Sequence, residues 1–167
     1  MSDIVIRRAE PRDLPSLLAL YNHYIVHTPV TFDIEPRTPA QRAEWFASFA
    51  DHGRYQCFVA DDGGNAVAYA CSLKFKEREA YATTIETSIY CAEGHAGKGL
   101  GRRLYTALFG AIAGEDIHRA YGGITLPNAA SVGLHVAMGF RHIGTYTEVG
   151  RKFDTFWDVG LYLRDMR

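Results

Sequence analysis

Glycines at positions 97, 99 and 101 follow a strand-like segment and precede a stretch whose apolar spacing predicts a helix. Because glycine has no Cβ, the backbone of such a loop can come close to a ligand. The free N–H groups at the start of a helix also bind anions, phosphates in particular. Residues 97–102 are therefore a candidate phosphate or pyrophosphate site. A turn that merely starts a helix is the structural alternative.

The spacing of this loop differs from that of the two common nucleotide-binding motifs. A Walker A loop has Ser or Thr after its Gly-Lys pair, whereas Lys98 is followed by Gly99. A dinucleotide-binding loop has GxGxxG spacing, whereas here the spacing is GxGxG and Arg102 follows. Both nucleotide-binding interpretations therefore fail, and we expect a phosphate-bearing ligand of another kind.

A second segment whose residue types could take part in catalysis or binding begins at Asn128 and ends at Phe140. Asn is a residue type that caps helices, and Gly139 has the type that ends them. Between them lie Ser131 and His135, and histidine titrates near neutral pH. Taken alone, this segment is explained by a capped helix as well as by a functional site.

The hydrophobic periodicity predicts the elements that position these two segments. Helices are expected after Asp13, after a capping box at residues 38–41, over residues 100–113 and after Asn128, with ends at Gly53 for the second and Gly139 for the fourth. Strands are expected at residues 3–9, 55–60, 66–75, 83–91, 120–126, 141–148 and 153–164, with a hairpin turn at 61–65. This order, βαα-βββ-α-β-α-ββ, predicts a single α/β (α+β) domain over residues 1–167, with a mixed central sheet of about six to seven strands flanked by about four helices.

The composition argues against several classes of function. The chain has 167 residues, and its 18 Lys and Arg balance 19 Asp and Glu, so that nothing favours nucleic acid as a partner. No apolar run approaches the roughly 18 residues of a membrane span, and the N-terminal MSDI lacks the regions of a secretory signal. Cys57, Cys71 and Cys91 form no disulfide framework, and the histidines are not in metal-ligand spacing. We therefore expect a cytoplasmic protein without a metal.

Taken together, the glycine loop and the Asn128 helix resemble the GNAT superfamily, whose members use acetyl-CoA to acylate amines. In that family the loop binds the pyrophosphate of coenzyme A, and the later helix flanks the pantetheine arm. The leading Arg or Gln of the family loop is Ala96 here, and Lys98, Arg102 and Arg103 are the nearby positive charges. The resemblance implies the GNAT fold, acetyl-CoA as co-substrate and a set of cofactor-binding residues: Ser88, Ile89, Tyr90, Cys91, Gly97, Lys98, Gly99, Leu100, Gly101, Arg102, Asn128 and Ser131.

Further segments, spread in order over nearly the whole chain, are similar to one subgroup, the phosphinothricin and methionine sulfoximine N-acetyltransferases. These segments are Thr31-Phe32, Glu35-Pro36, residues 75–81 (FKEREAY), 84–86 (TIE), 126–128 (LPN), 150–153 (GRKF) and 157–160 (WDVG). The subgroup often has Trp at the position of Phe75. The resemblance implies direct acetyl transfer, in a ternary complex, to the primary amine of a small amino-acid-like acceptor.

Acetyl transfer to an amine needs a base, because most amines are protonated at neutral pH. Glu86 lies on a predicted strand just ahead of the glycine loop, and burial beside the apolar Ile85 and Ile89 would raise its pKa. By resemblance, His135 is predicted to protonate the leaving thiolate. In GNAT proteins the strand before the loop splays from its neighbour, so the N–H group of Tyr90 is predicted to bind the developing oxyanion.

The acceptor is predicted to carry an acid group beside its amine, because the subgroup binds its amino-acid substrate where this chain has Lys76 and Arg78. Such cations hold carboxylates and phosphinates. The other predicted substrate-binding residues are Phe32, Phe75, Tyr81 and Val159. A solvated charged loop is the structural alternative. The functional alternatives are a polyamine or protein N-terminus as acceptor and a non-catalytic acyl-CoA-binding role.

The C-terminal part of the chain has more aromatic residues than the core side of one small sheet needs. They are Phe153, Phe156, Trp157 and Tyr162. Surplus apolar area often marks an interface between subunits. Together with the resemblance, this surplus predicts a homodimer.

Overall fold

A computed structural model describes residues 3–167, and their elements follow the predicted order. The strands are β1 (Val5–Arg8), β2 (Cys57–Asp62), β3 (Asn65–Lys74), β4 (Thr84–Cys91), β5 (Arg119–Leu126), β6 (Arg141–Lys152) and β7 (Thr155–Asp165). The α-helices are α1 (Leu14–His27), α2 (Pro39–Phe46), α3 (Leu100–Ile112) and α4 (Ala129–Ala137). The seven strands form one sheet in the order β1-β2-β3-β4-β5-β7-β6, which confirms the predicted mixed fold. The prediction about a secretory signal rests partly on residues 1 and 2, which lie outside the described residues.

Helix α2 begins as predicted and ends earlier. Thr38 Oγ1 accepts a hydrogen bond from the Gln41 N–H at 3.2 Å, and Gln41 Oε1 accepts one from the Thr38 N–H at 2.9 Å, so the capping box is confirmed. The helix ends at Phe46, well before the predicted Gly53. The reason is that the next N–H groups, those of Ser48 and Phe49, bond to carbonyls three residues back at 3.2 and 3.1 Å. Such bonds tighten the last turn and stop the helix.

Helix α1 begins directly after Asp13, as predicted, with Asp13 at its N-cap position. Asp13 does not cap this helix through its side chain. Its buried carboxylate instead accepts hydrogen bonds from the Arg7 guanidinium at 2.7 Å and from the Glu10 N–H at 2.8 Å. Asp13 therefore ties strand β1 to the start of α1.

The last hairpin has its turn at Phe153 and Asp154, where the predicted final strand was expected to begin. Both residues have a left-handed backbone, with φ of 55° and 54°. Two such residues form the tight turns whose twist matches a hairpin. Strand β6 consequently continues to Lys152, and β7 starts at Thr155.

Helices cover both faces of the sheet. On one face, Leu104 and Leu108 of α3 are fully buried in the same cluster as Ile85 of β4. On the other face, Leu17 of α1 packs in a cluster with Tyr69 of β3. Burying one such leucine stabilises the fold by about 1.5–3 kcal/mol, so the central strands are held firmly from both sides. Within residues 3–167, no helix is both long and apolar enough to cross a membrane.

The sheet opens between its two central strands. Strands β4 and β5 are parallel and pair over three residues only, Thr84 to Glu86 against Arg119 to Tyr121. Beyond Glu86, β4 stays paired with β3 and β5 stays paired with β7. A wedge-shaped opening, the β4–β5 gap, therefore begins just after Glu86 in the middle of the sheet. It has the splay expected from the resemblance.

Candidate active site

At the open end of the β4–β5 gap, the starts of α3 and α4 border a cavity of about 560 Å³, here called the loop cavity. Gly97 and Gly99 have φ of 76° and 75°, a left-handed conformation that favours glycine, and Gly99 is the N-cap of α3. The predicted cofactor residues that line this cavity are Ile89, Cys91, Gly97, Gly99, Leu100, Gly101, Arg102, Asn128 and Ser131. Unpaired N–H groups and the positive end of the helix dipole meet here, which suits a pyrophosphate. Lys98 is exposed on the loop.

Gly101 lines the loop cavity and, in addition, is needed for the packing of α3 against α4. A Cβ at this position would lie 2.7 Å from Cδ2 of Leu134 and 3.5 Å from Cδ1 of Ile89. The glycine therefore allows the first turn of α3 to pack closely against α4. It shapes the loop cavity by holding its two walls together.

Asn128 caps α4, because its Oδ1 accepts a hydrogen bond from the Ser131 N–H at 3.1 Å. The same residue also lines the loop cavity and the cavity next to it. The structural and functional interpretations of Asn128 are therefore compatible: the cap fixes the wall of the site.

A second cavity, of about 260 Å³, occupies the β4–β5 gap and is here called the Glu86 cavity. It shares Ile89, Asn128 and Ser131 with the loop cavity, so the two are neighbours. The predicted residues that it brings together from distant parts of the chain are Phe32, Glu86, Ser88, Tyr90, His135 and Val159.

Phe32 reaches the Glu86 cavity because the segment before α2 is fixed against β6. The Phe32 ring lies so close to Gly150 that a Cβ at this glycine would overlap it. The buried Lys152 donates a hydrogen bond from Nζ to the Thr31 carbonyl at 2.8 Å. These contacts explain a structural need for Gly150 and Lys152 within the GRKF segment.

Glu86 is the last residue of β4 that pairs with β5. It is half-buried and lies at the closed end of the gap. Burial raises the pKa of its carboxyl group above the ordinary value, since a charge is less stable away from water. A carboxylate of this kind takes up a proton more readily near neutral pH than an exposed one does. The position and the direction of the pKa shift both suit a general base.

His135 is 3% exposed, and both of its ring nitrogens have partners. Nδ1 lies 2.7 Å from the Ser131 carbonyl, to which it donates, and Nε2 lies 3.0 Å from the Tyr105 hydroxyl, from which it accepts. Burial lowers the pKa of His135, which favours the neutral ring. The neutral ring in this arrangement has no free proton for a leaving group, in contrast to the predicted role as general acid.

Tyr105 is the polar residue of this cluster that sequence reasoning missed. It is fully buried on α3, and its hydroxyl also lies 3.4 Å from Thr87 Oγ1. Nothing in the sequence distinguishes it from the apolar residues on the same face of α3. The hydroxyl fixes which face of the His135 ring meets the Glu86 cavity.

The N–H group of Tyr90 faces β3 and not the gap, which corrects the prediction for the oxyanion donor. Tyr90 lies opposite Tyr69, and the next-but-one residue, Ala92, donates from its N–H to the Val67 carbonyl at 2.8 Å. In an antiparallel pair, the N–H groups of successive residues point alternately toward and away from the partner strand. The N–H groups of Ile89 and Cys91 therefore point away from β3. The direction of the Cys91 carbonyl is consistent with this, because it bonds to a side chain and not to β3: it accepts a hydrogen bond from the Tyr24 hydroxyl at 2.7 Å.

The remaining predicted substrate residues, Phe75, Lys76, Arg78 and Tyr81, lie outside the Glu86 cavity. The Phe75 ring stacks on Tyr121, which pairs directly with Glu86, at 4.9 Å between ring centroids. Lys76 Nζ lies 5.1 Å from the centroid of Phe75 and 5.3 Å from that of Tyr81. Arg78 is exposed, and within the described part of the chain it has no ion-pair partner. The structure therefore leaves the side chains of Lys76 and Arg78 exposed to solvent.

Comparison with known proteins agrees with this geometry. The sequence profile of the acetyltransferase (GNAT) family matches residues 17–140. A phosphinothricin N-acetyltransferase of Streptomyces coelicolor is 47% identical over 167 residues, covering 99% of this chain and 98% of that protein. An L-methionine sulfoximine/L-methionine sulfone acetyltransferase of Pseudomonas aeruginosa is 36% identical, covering 92% of this chain and 90% of that protein.

A solved structure extends the likeness to the fold. The crystal structure of a GNAT superfamily phosphinothricin acetyltransferase from Sinorhizobium meliloti, in complex with acetyl-CoA, matches with a TM-score of 0.91 and 28% identity. The match covers 99% of this chain and 89% of that one. The predicted resemblance to the phosphinothricin and methionine sulfoximine subgroup is thereby confirmed, and the chain belongs to the acetyltransferase (GNAT) family.

Proposed function

We propose that this protein transfers the acetyl group of acetyl-CoA directly to the primary amine of a small amino-acid-like acceptor, with phosphinothricin and methionine sulfoximine as the candidates. The observation that carries the proposal is the course of the β4–β5 gap, from the loop cavity to a half-buried carboxylate at Glu86. The relatives named above act on such acceptors according to their names. The test is a thiol-release assay of the purified protein against amino acids and their analogues. Release above the acceptor-free rate is expected with the two candidates, and its absence with every amine would contradict the proposal.

Residues of the loop cavity are proposed to hold the cofactor. The N–H groups at the start of α3 bind the pyrophosphate, and Asn128 and Ser131 line the path of the pantetheine arm. Bound acetyl-CoA supplies the acetyl thioester in the β4–β5 gap. The N–H groups of Ile89 and Cys91, which point away from β3, are proposed to stabilise the oxygen that becomes negative during transfer.

Glu86 is proposed to take a proton from the attacking amine. His135 is proposed to act mainly as a positioning residue, because its neutral ring is held between Ser131 and Tyr105. The predicted role of His135 as the acid that protonates the thiolate requires the charged ring, which burial disfavours. The exposed Lys76 and Arg78 favour an anionic acceptor over a polyamine.

Arg78→Ala is expected to lower kcat/KM for an amino-acid acceptor by about 10- to 100-fold, since a charge-assisted hydrogen bond contributes about 1.5–3 kcal/mol. The apparent constant for acetyl-CoA should change little, because the loop cavity is lined by other residues. The decisive comparison uses an amino acid and its uncharged amide as paired acceptors. Equal losses for both would show that the segment around Arg78 is only a solvated loop.

We also propose a homodimer, supported by a group of exposed apolar side chains on the β6–β7 hairpin at the edge of the sheet. The exposed fractions are 55% for Tyr146, 55% for Val149, 53% for Phe153 and 58% for Phe156. Patches of this kind mark interfaces. The mass in solution at micromolar concentration should be twice 18.6 kDa, and Phe156→Asp should lower it. A monomeric mass for the unmodified protein would contradict the proposal.

The cytoplasm is the proposed location. Cys57 and Cys71 lie directly opposite each other on β2 and β3, and both are free thiols, as is Cys91. Unlinked neighbouring thiols are typical of proteins in a reducing compartment.

A further inference from the structure

A third cavity, of about 510 Å³ and here called the α2 cavity, lies on the α1–α2 side of the sheet. It shares Ser88 and Tyr90 with the Glu86 cavity, so the two adjoin along β4. Arg42 of α2 lines the α2 cavity and is only 4% exposed. This arginine is not among the residues predicted to bind the acceptor.

The guanidinium of Arg42 is stacked against aromatic rings, and two of its three nitrogens lack a hydrogen-bond partner among the described residues. Its central carbon lies 3.4 Å from the centroid of the Trp45 ring and 4.6 Å from that of Tyr21. Its Nε and Nη2 atoms are buried and have no hydrogen-bond partner among the described residues. Aromatic faces attract the charge by about 0.5–2 kcal/mol, but they accept no hydrogen bond in the plane of the guanidinium.

The carboxylates that line the α2 cavity do not neutralise Arg42. Asp33 is paired with Arg37 at 2.6 Å and accepts a hydrogen bond from the Tyr21 hydroxyl, also at 2.6 Å. Glu44 is exposed and forms no ion pair within residues 3–167. A buried charge without a partner is costly, and an oxyanion from outside would remove that cost.

The course of β4 connects Glu86 with this cavity. Alternate residues of a strand face the same side, so the side chains of Glu86, Ser88 and Tyr90 form one row. Ser88, the middle residue of this row, lines both the Glu86 cavity and the α2 cavity. An acceptor with its amine at Glu86 would therefore extend past Ser88 into the α2 cavity, toward Arg42.

We propose that Arg42 binds the oxygen-bearing end of the acceptor side chain, a phosphinate, sulfoximine, sulfonyl or carboxylate group. This inference rests on the proposed function and adds a second anchor to it, since Lys76 and Arg78 are proposed to hold the acid group beside the amine. The fork of a guanidinium suits two hydrogen-bond acceptor atoms on one phosphorus, sulfur or carbon atom. Arg42 is therefore the residue that selects such acceptors over amino acids with a hydrocarbon side chain.

The kinetic test compares phosphinothricin with norleucine, whose side chain has no oxygen. In Arg42→Met, the ratio of kcat/KM for phosphinothricin to that for norleucine should fall by about 10- to 100-fold, the factor expected for a charge-assisted hydrogen bond. The matched control is the double variant Arg37→Met/Asp33→Asn, which removes an ion pair of the same cavity and leaves no unpaired charge behind. The ratio should stay within about twofold in this control. An unchanged ratio in Arg42→Met would assign Arg42 a structural role and overturn the proposal.

A binding test needs neither acetyl transfer nor a substitution at Arg42. The chain has two tryptophans, so Trp157→Phe leaves Trp45, on which Arg42 stacks, as the single reporter. Phosphinothricin should change the Trp45 fluorescence in a saturable way, and norleucine should not. Equal responses, or no response to phosphinothricin, would overturn the proposal. A phosphinothricin response in a protein that transfers no acetyl group would support the Arg42 site and contradict the proposed function.

Discussion

Glu86→Gln is expected to lower kcat by about 100- to 10,000-fold, the range that general acid–base catalysis contributes. Glutamine keeps the size of the side chain and removes its ability to take a proton. Glu86 is half-buried beside the β4–β5 gap, and within the described residues no ion pair depends on it. Stability and acetyl-CoA binding should therefore change little, which separates a chemical defect from a folding defect.

The pH dependence of the transfer rate also tests whether Glu86 is the base. Burial raises the pKa of Glu86, so the carboxylate is lost at a higher pH than for an exposed glutamate. The rate of the unmodified protein should fall about tenfold per pH unit below that raised pKa. In Glu86→Gln this acid limb should disappear. Near-normal turnover of the variant at neutral pH would assign the proton transfer to another group or to water.

Gly99→Val is expected to raise the apparent constant for acetyl-CoA strongly, by about 10- to 100-fold or more. The φ of 75° at Gly99 is strained for a β-branched residue, and the new side chain would stand in the loop cavity. Both effects disturb the N–H groups that start α3. Isothermal titration with coenzyme A measures the loss directly.

Gly64→Val is the matched control for backbone strain. Gly64 has φ of 98° in the β2–β3 turn, and a Cβ there would meet nothing within 4 Å, as at Gly99. This variant should lower the melting temperature and leave coenzyme A affinity unchanged. Equal affinity losses in the two variants, or none in folded Gly99→Val, would contradict the placement of the pyrophosphate.

Most helices and strands of the fold could be predicted from sequence patterns that lie within one segment. The capping box at Thr38, the cap at Asn128 and the alternation of β-branched residues in β4 act over a few residues, and each lies where its pattern predicts. The end of α2 was not predicted, because its last turn tightens well before Gly53. The start of α1 after Asp13 was predicted, but not that the Asp13 carboxylate would bond to Arg7 in place of capping the helix.

The parts of the site that were missed depend on partners far away in the chain. The direction of the Tyr90 N–H follows from the register of β4 against β3, and no pattern within β4 reveals it. The ring of His135 is oriented by Tyr105 on another helix. Arg42 lies three residues before Trp45, on the same face of α2, but only the folded chain brings Tyr21 of α1 against its guanidinium. Chemistry of single residues was predictable, whereas their orientation was not.

The most direct measurement varies acetyl-CoA and phosphinothricin together, with thiol release and the mass of the product followed in the same reactions. Direct transfer predicts one thiol per N-acetylated acceptor and initial-rate lines that intersect, because both substrates must occupy the joined cavities before transfer. Parallel lines would indicate an acetylated protein as an intermediate. Either that pattern, or thiol release without an N-acetylated product, would contradict direct transfer to the amine.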